Sequence, residues 1–519
     1  MKKYYLSLFF LIVSFISVQA QLSNVHYLPP LKQGGNNQAI RQQAFYLSTP
    51  ETMAFNVNVF QGTNITAIAT INISNTTPGQ YNIADGDNNI TLVTNTNTGI
   101  VLNNSGLRFQ SENGEEFYVN YRGRSSSQAT SLTSKGRQAI GTLFKWGGRP
   151  NYGNGQNSLN ATLGIMATDP GTTTINIYGY GTDCEFRLQG DNDGITDDTL
   201  TITLTQGQTY VLEAWRNATI ANIDCWLGAT IQSDKKIAIS NGNLNGAPRI
   251  GSNNRDALID QPVPENVLGR EYIFIRGNGQ NDIETPIIIG TQNGTDIFVG
   301  GVLETTINTG EYYVIDGSNY TPAAVSGNMY VTTSKEVYAY QHLAGSGSAF
   351  TGGLNFIAPV NCLLPDRLSN ISNIRDVDGA NFNGGITIVA STTTPNTNII
   401  VTDDTGTIAL ANEQAVIGTG DWKTFYIPGL TGNVSVQSTG PIAVGFLGVS
   451  GAAGIAGYFS GFDTVPVVEL DVTGGGCLPG ADVFEISSSF DAYQWFQNGV
   501  QIAGAITNVF TPTEPGDFL

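Results

Sequence analysis

Arg122, Arg124, Lys135, Arg137, Lys145 and Arg149 fall within 28 residues that contain no Asp or Glu, in a chain whose formal net charge is −19. Clustered Arg and Lys recognise carboxylate, sulfate or phosphate groups, Arg with a bidentate fork. The run is therefore a candidate ligand-binding surface for an anionic glycan, a lipid headgroup or an acidic protein. The competing reading is that these side chains pair with acids of adjacent modules and hold the modules together. Asp191, Asp193, Asp197 and Asp198 surround Gly194 and set hard oxygen ligands at alternate positions, as a Ca2+ loop does. The distant bidentate Glu of such loops is missing, so a plain acidic turn is the preferred reading. Cys184 and Cys225 fall in one module and are a candidate disulfide, whereas Cys362 and Cys477 fall in different modules and no C-x-x-C zinc signature exists.

Catalysis has little to draw on. Only His26 and His342 are available for imidazole acid–base work, and His342 reads as a half-buried strand residue. Gly448-Val449-Ser450-Gly451-Ala452 approaches a nucleophile elbow, but its last position is not Gly and no His follows it, so Ser450 reads as a turn residue. Glycoside hydrolysis needs only two acids at a suitable separation. Asp282 with Glu284, or Asp197 with Asp198, are nominal pairs whose spacing does not set them apart from solvated turns. The sequence therefore points away from an enzyme, and to no cofactor beyond Ca2+ at the acidic loop. Binding or adhesion is preferred to a polysaccharide-active enzyme or a purely structural surface-layer component.

The elements that must position these residues read as short strands almost throughout, separated by Gly, Asn, Asp and Thr turns. They recur as a unit. Leu163 to Thr168, the turn Asp169-Pro170-Gly171, and Thr174 to Ile177 match Thr285 to Thr291, the turn Gln292-Asn293-Gly294, and Thr295 to Val299. A third copy runs from Gly385 to Ala390 and from Asn398 to Val401. Each reads as a hairpin. The unit closes on Ser233, Ser334 and Ser438, which lie 101 and 104 residues apart. A period of about 100 residues with six or more strands predicts an all-β fold of tandem β-sandwich-like repeats, with a β-propeller-like or fused-sandwich arrangement as the alternative. The expected divisions are 1–20, 21–150 (a divergent first module), 151–268, 269–365, 366–472 and 473–519. Independent repeats predict that residues 269–471 fold alone, whereas a closed propeller tolerates no such cut.

Lys2 and Lys3, the apolar run Tyr4 to Val18, and Val18-Gln19-Ala20 before Gln21 have the form of a removable export signal. The apolar run is short for a bilayer span. The uncharged stretch Ile442 to Phe462 is broken by six glycines and falls in register with the repeat, so no membrane-spanning segment is expected after signal removal. Only 13% of residues are charged and the pI is near 4.4, which suits a secreted or outer-surface protein and argues against nucleic acid as a partner. After Gly474-Gly475-Gly476 the pattern changes. Tyr493-Gln494-Trp495 leads into an Asn498-Gly499 hairpin that resembles part of a bacterial immunoglobulin-like module, with Trp495 as its core residue. The chain stops inside that pattern, so a truncated module is expected.

Leu132-Thr133-Ser134-Lys135-Gly136-Arg137 through Phe144, the repeated closings, and Asn355 through Pro365 with Pro359, Cys362 and Pro365 are similar to the IgGFc-binding protein N-terminal domain family. More narrowly, they resemble its members among gliding-motility-associated surface proteins of Bacteroidetes. The resemblance covers residues of roughly 115 to 465 and rests on several weak motifs in the right order. It implies an exported, non-enzymatic interaction region that recognises a protein or an anionic glycan at the cell surface, in a group that often carries type IX secretion domains. It does not fix the ligand, and binding of immunoglobulin does not follow from it. Asp198-Thr199-Leu200 and Asp463-Thr464-Val465 also resemble the O-glycosylation pattern of exported proteins in that group.

Overall fold

The computed structural model describes residues 21–34, 40–152, 159–182, 184–187, 199–216, 222–247, 255–344, 352–361, 364–459, 461, 471–473, 483–485, 493–498 and 500–513. Strands dominate, and the helices among the described residues are 3-10 turns of three or four residues. Residues 1–463 form one compact unit and 464–519 a second.

The first unit contains four copies of one strand pattern. Copy 1 has β1 (Val25–Leu28), β2 (Gln42–Ser48), β3 (Phe55–Gln61), β4 (Ala69–Ile73), β5 (Gly79–Asn82), β6 (Val101–Leu102), β7 (Leu107–Ser111), β8 (Tyr118–Arg124) and β9 (Ala129–Thr133). Copy 2 has β10 (Ile140–Lys145), β11 (Leu159–Ala167), β12 (Thr172–Tyr178), β13 (Thr199–Thr205), β14 (Thr209–Arg216), β15 (Thr230–Gly246) and β16 (Asp256–Asp260). Copy 3 has β17 (Gly269–Ile275), β18 (Pro286–Gly290), β19 (Thr295–Val299), β20 (Val302–Ile307), β21 (Tyr312–Val314), β22 (Asn328–Ala344) and β23 (Gly352–Phe356). Copy 4 has β24 (Arg367–Ile371), β25 (Asp376–Val377), β26 (Ala380–Asn381), β27 (Asn383–Ser391), β28 (Ile400–Asp403), β29 (Gly406–Ile408), β30 (Gln414–Ala415), β31 (Trp422–Leu430), β32 (Val434–Gln437), β33 (Ile442–Ser450) and β34 (Ala453–Tyr458).

In copy 3 the long strand β22 organises everything. Its first half pairs with β17 and β19, which carries β20, and its second half pairs with β18, which carries β21, and with β23. Strand β15 does the same in copy 2. In copies 1 and 4 the long strand is split into β7 and β8, and into β32 and β33, leaving two separate four- or five-stranded sheets. In copy 4 the break contains Pro441, which lacks the N–H that a continuous ladder needs. Copies 1 and 4 thus fit the sandwich expectation, whereas copies 2 and 3 each keep one sheet continuous through the long strand. The predicted hairpins do not form at the repeated turns, because β11 and β12, like β18 and β19, flank the long strand on its two halves and do not pair with each other. A turn signal marks where the chain reverses but carries no information about which strand the reversed segment will meet. Pairing of β10 with β15 also opens the second copy at Ile140, ahead of the expected division at 151.

The last strands of the four copies meet at the centre. Strand β9 packs on β16, β16 on β23, β23 on β34, and β34 back on β9, closing a propeller-like ring. Every residue of the four strands is buried. Small residues permit this approach: a Cβ on Gly353 would lie 2.9 Å from the Ala456 nitrogen, and one on Gly457 would lie 2.3 Å from the Phe446 ring. The cores run together for the same reason. One cluster spans copies 2 and 3 and takes in Trp422 and Tyr458 of copy 4, and the core of copy 1 includes Leu244, Ala257 and Ile259 of copy 2. The copies are therefore neighbours in a closed assembly, not beads on a string.

In the second unit, Trp495 is buried, donates from its indole N–H to the Thr507 carbonyl at 2.9 Å and stacks on Phe510. Short strands Phe496–Gln497 and Val500–Gln501 pair around Asn498, whose φ of 51° is the left-handed value that an Asn-Gly turn uses.

Candidate functional site

The cationic run does not form one exposed surface. Arg122, Lys135, Lys145 and Arg149 are buried, Arg124 is partly buried and Arg137 is exposed. Arg122 is 0% exposed. It donates to the carbonyls of Ser372, Asn373 and Asp376 at 2.7 to 2.8 Å and to Asn120 Oδ1 at 2.6 Å, with its guanidinium 4.2 Å above the Tyr46 ring. Burial pulls it down to about 10. Arg124 donates to the Val377 carbonyl and Arg149 to the carbonyl and hydroxyl of Thr285. Lys145 donates to Thr230 Oγ1, Lys135 contacts Asp260, and Arg137 donates to Asn24 Oδ1. Arg122 and Arg124 thus tie copy 1 to copy 4, and Arg149 ties copy 2 to copy 3. The clamp is the reading the geometry supports, because four of the five Arg122 donors are spent on internal oxygens and the group is buried.

The ring junctions use side chains where neighbouring sheets leave edge amides unpaired. Asp256 and Asp260 on β16 accept the backbone N–H groups of Gly352 at 3.2 Å and Phe356 at 2.8 Å on β23. Burial holds both carboxyls above the ordinary carboxylate range, Asp256 well above it.

The other sequence candidates scatter. His26 is buried between Ser134 Oγ and the Phe117 carbonyl, and burial lowers it to about 4. His342 is fully buried, beyond the half-burial expected of it, and burial together with Arg149 holds it well below its ordinary value. Glu284 is buried and accepts the Gly279 N–H, whereas Asp282 is exposed, so the two carboxyls sit in unlike surroundings. Ser450 is exposed at the end of β33 beside Gly451 at φ 61°. No bond joins Cys184 and Cys225, although both belong to the core around Trp226; Cys225 Sγ lies instead 3.4 Å from Asn222 Oδ1. Asp191, Asp193, Asp197, Asp198, Cys362, Cys477 and the Asp463-Thr464-Val465 triplet lie outside the described residues. Among the described residues no group of three His, Cys, Asp or Glu side chains could hold a metal ion, and no helix is long and apolar enough to cross a membrane.

An open concavity with ligand-sized room among the described residues is one that the sequence did not single out. A cleft of about 530 Å³ lies between copies 1 and 4, lined by Gln80 and Asn82 on the edge strand β5 and by Asn373, Asp376, Asp378 and Gly379 around the β25–β26 turn. Tyr46 fixes that turn: its hydroxyl donates to Asp376 Oδ2 and accepts the Asp378 N–H at 2.8 Å, and Asp376 Oδ1 accepts the Gly379 N–H. Arg122 holds the same turn through the Asp376 carbonyl. Partial burial raises the Asp378 carboxyl, the nearby Asp85 adds to this, and Arg124 opposes it. Three amides, Gln80 and Asn82 on β5 and Asn373 beside the braced turn, and the carboxylates of Asp376 and Asp378 can hydrogen-bond hydroxyls and peptide groups. The signal available in the sequence was Asp376-Val377-Asp378-Gly379, a turn pattern too common to stand out.

A family model described as IgGFc binding protein matches residues 129–448. The chain belongs to the IgGFc binding protein family. The match opens on β9 and ends inside β33, so the family region supplies all four ring strands but the last, together with the Asn373 to Gly379 wall of the cleft. The Gln80 and Asn82 wall and the Arg122 clamp precede it. No curated protein matches the chain. Among solved structures, an arabinofuranosyltransferase from mycobacteria aligns at 11% identity over 80% of this chain and 39% of that one, with a TM-score of 0.10, and carries no argument about fold or function. The chain spans under half the length of that protein.

Proposed function

We propose that the chain is an exported cell-surface protein that binds its ligand without catalysis, and that the cleft between copies 1 and 4 is its contact site. The observation that carries this reading is membership of a family of binding proteins across the ring strands. The cleft adds a chemistry: its amides and carboxylates suit an uncharged, hydrogen-bonding partner such as protein backbone or sugar hydroxyls. An anionic glycan is a poorer fit, because four of the six cations that would have recognised it, Arg122, Lys135, Lys145 and Arg149, are buried in the protein. The export signal at residues 1–20 and the resemblance to gliding-motility and type IX-secreted proteins support the surface location.

The test is binding of the mature protein to immobilised immunoglobulin Fc, to a panel of surface proteins and to neutral and acidic glycans. Joint Asn82→Ala and Asp378→Ala replacement should abolish the interaction while leaving the melting temperature within about 2 °C, as surface substitutions do. Binding that survives both replacements removes the cleft from the reading. Turnover of any glycan in the panel removes the non-catalytic part.

A further inference from the structure

We propose that Lys135 and Asp260 condense into an intramolecular amide, a covalent lock at the centre of the ring. The Lys135 ammonium nitrogen lies 3.3 Å from each Asp260 carboxyl oxygen, which sets it beside the carboxyl carbon that joins them. Both side chains are at most 1% exposed. The amine is steered from its other side by the Tyr458 carbonyl of β34 at 3.4 Å. The acid is held by two backbone amides: Gln261 N–H donates to Oδ1 and Phe356 N–H to Oδ2, both at 2.8 Å. Donors at that distance polarise the carboxyl and stabilise the oxyanion that forms when a nucleophile adds to it.

Burial also favours the reactive forms. Two ions in a dry site bear a heavy desolvation penalty, and desolvation is the leading influence that lowers Lys135 and raises Asp260. A proton passing along the contact leaves a neutral amine beside a neutral acid. The nitrogen lone pair adds to the Asp260 carboxyl carbon, forming the C–N bond and placing negative charge on the oxygen faced by an amide donor. The tetrahedral intermediate then collapses: the C–O bond to the hydroxyl breaks, the hydroxyl takes a proton from the nitrogen, and one water leaves. Amine plus acid gives amide plus water, with no oxidant, reductant or co-reactant.

Among the described residues, the other largely buried pairs lack one requirement or another. Lys145 and Glu265 are 3.8 Å apart and the acid is 19% exposed, so water can compete. Arg187 and Glu213 approach to 2.6 Å, but a guanidinium is not a nucleophile at neutral pH. The position of the proposed bond also has a structural meaning. Lys135 lies in the connection entering copy 2 and Asp260 ends the strand leaving it, so the amide would prevent β16 from peeling away from β9 and β23. This inference does not depend on the ligand.

The experiment is peptide mapping of the mature wild-type protein after full denaturation. A branched peptide should join the Lys135 and Asp260 segments at one water below their summed mass, with no tryptic cleavage after Lys135. Intact Lys135→Arg and Asp260→Ala proteins should each be free of that water loss. Recovery of the two segments as separate, unmodified peptides from soluble wild-type protein overturns the proposal, whether or not the variants fold. A water loss that persists in Asp260→Ala overturns the assignment of the acid.

Discussion

The inner and outer sheets of copies 1 and 4, and the inner and outer halves of the single sheets of copies 2 and 3, are built from similar residues but meet different surroundings. In the outer sheets the strands alternate, as β3 does with Val57 and Val59 buried between half-exposed Asn residues, and β12 with Ile175 and Ile177. One face meets the core and the other meets water. Their hairpins even leave Ile65 93% and Val302 70% exposed. In the inner sheets, β11, β16, β18 and β23 are buried at every position, because one face lies on the copy's own core and the other on its neighbours. Asp256, Asp260, Asn241 and Asn243 there have internal partners in place of solvent. The outer sheets thus carry local, forgiving interactions, while the inner sheets concentrate the specificity of the assembly in buried polar contacts that fail badly when one partner is lost.

The largest expected effect comes from cutting the ring. A fragment spanning residues 269–471 leaves β23 and β34 without β16 and β9, and should give no cooperative thermal transition by circular dichroism. A sharp transition in that fragment would restore the picture of independent repeats. Next, Arg122→Ala leaves three carbonyls without their donor and removes a buried side chain, so it should destabilise the protein by on the order of 3 to 5 kcal/mol. Val302→Ser on an outer hairpin should change stability by less than about 0.5 kcal/mol. Chemical denaturation of the two variants measures the contrast directly, and equal losses would erase it.

A pH titration sharpens the comparison at the edge of the ring. His26 is held neutral in the fold at about 4, against 6.5 in an unfolded chain. Its contribution is therefore complete above pH 6.5 and is lost as pH falls toward 4, about 3 kcal/mol in all. Glu116, beside the Phe117 carbonyl that His26 contacts, behaves oppositely. Burial and the charge of Glu51 raise it to about 7, so its contribution is present below 4.5 and is lost as pH rises through 7. The melting temperature of His26→Gln should fall less than that of wild type between pH 6.5 and 4.5, and Glu116→Gln should be relatively stabilised above pH 7. Parallel pH profiles in all three proteins would rule out both assignments. The smallest expected effect concerns Asp191, Asp193, Asp197 and Asp198: as a plain acidic turn they should give no Ca2+ heat in equilibrium titration and no thermal shift, and a Ca2+-dependent shift of about 1 to 2 °C would make them a metal site.

Strand content, a period near 100 residues and the core role of Trp495 were legible in the sequence, because β-branched alternation, turn residues and aromatic placement act within a few residues of one another. The cleft was not, and the clamps were legible only as charge pairing with acids of adjacent modules, whereas Arg122 and Arg149 meet backbone carbonyls. Arg122 meets the Asp376 carbonyl across 254 positions, and Lys135 meets Asp260 across 125, distances over which a single sequence carries no pairing signal. A cation drawn into the interior looks, in sequence, like one facing water.

By itself, then, the sequence determined that the chain would form repeated all-β units with glycine turns, since local propensity and side-chain period decide that much. Only the tertiary structure decided that the four units close on one another, which strand each turn delivers to the long central strand, and which charges are buried. Those outcomes depend on satisfying edge amides and carbonyls between segments that meet only after the ring has closed.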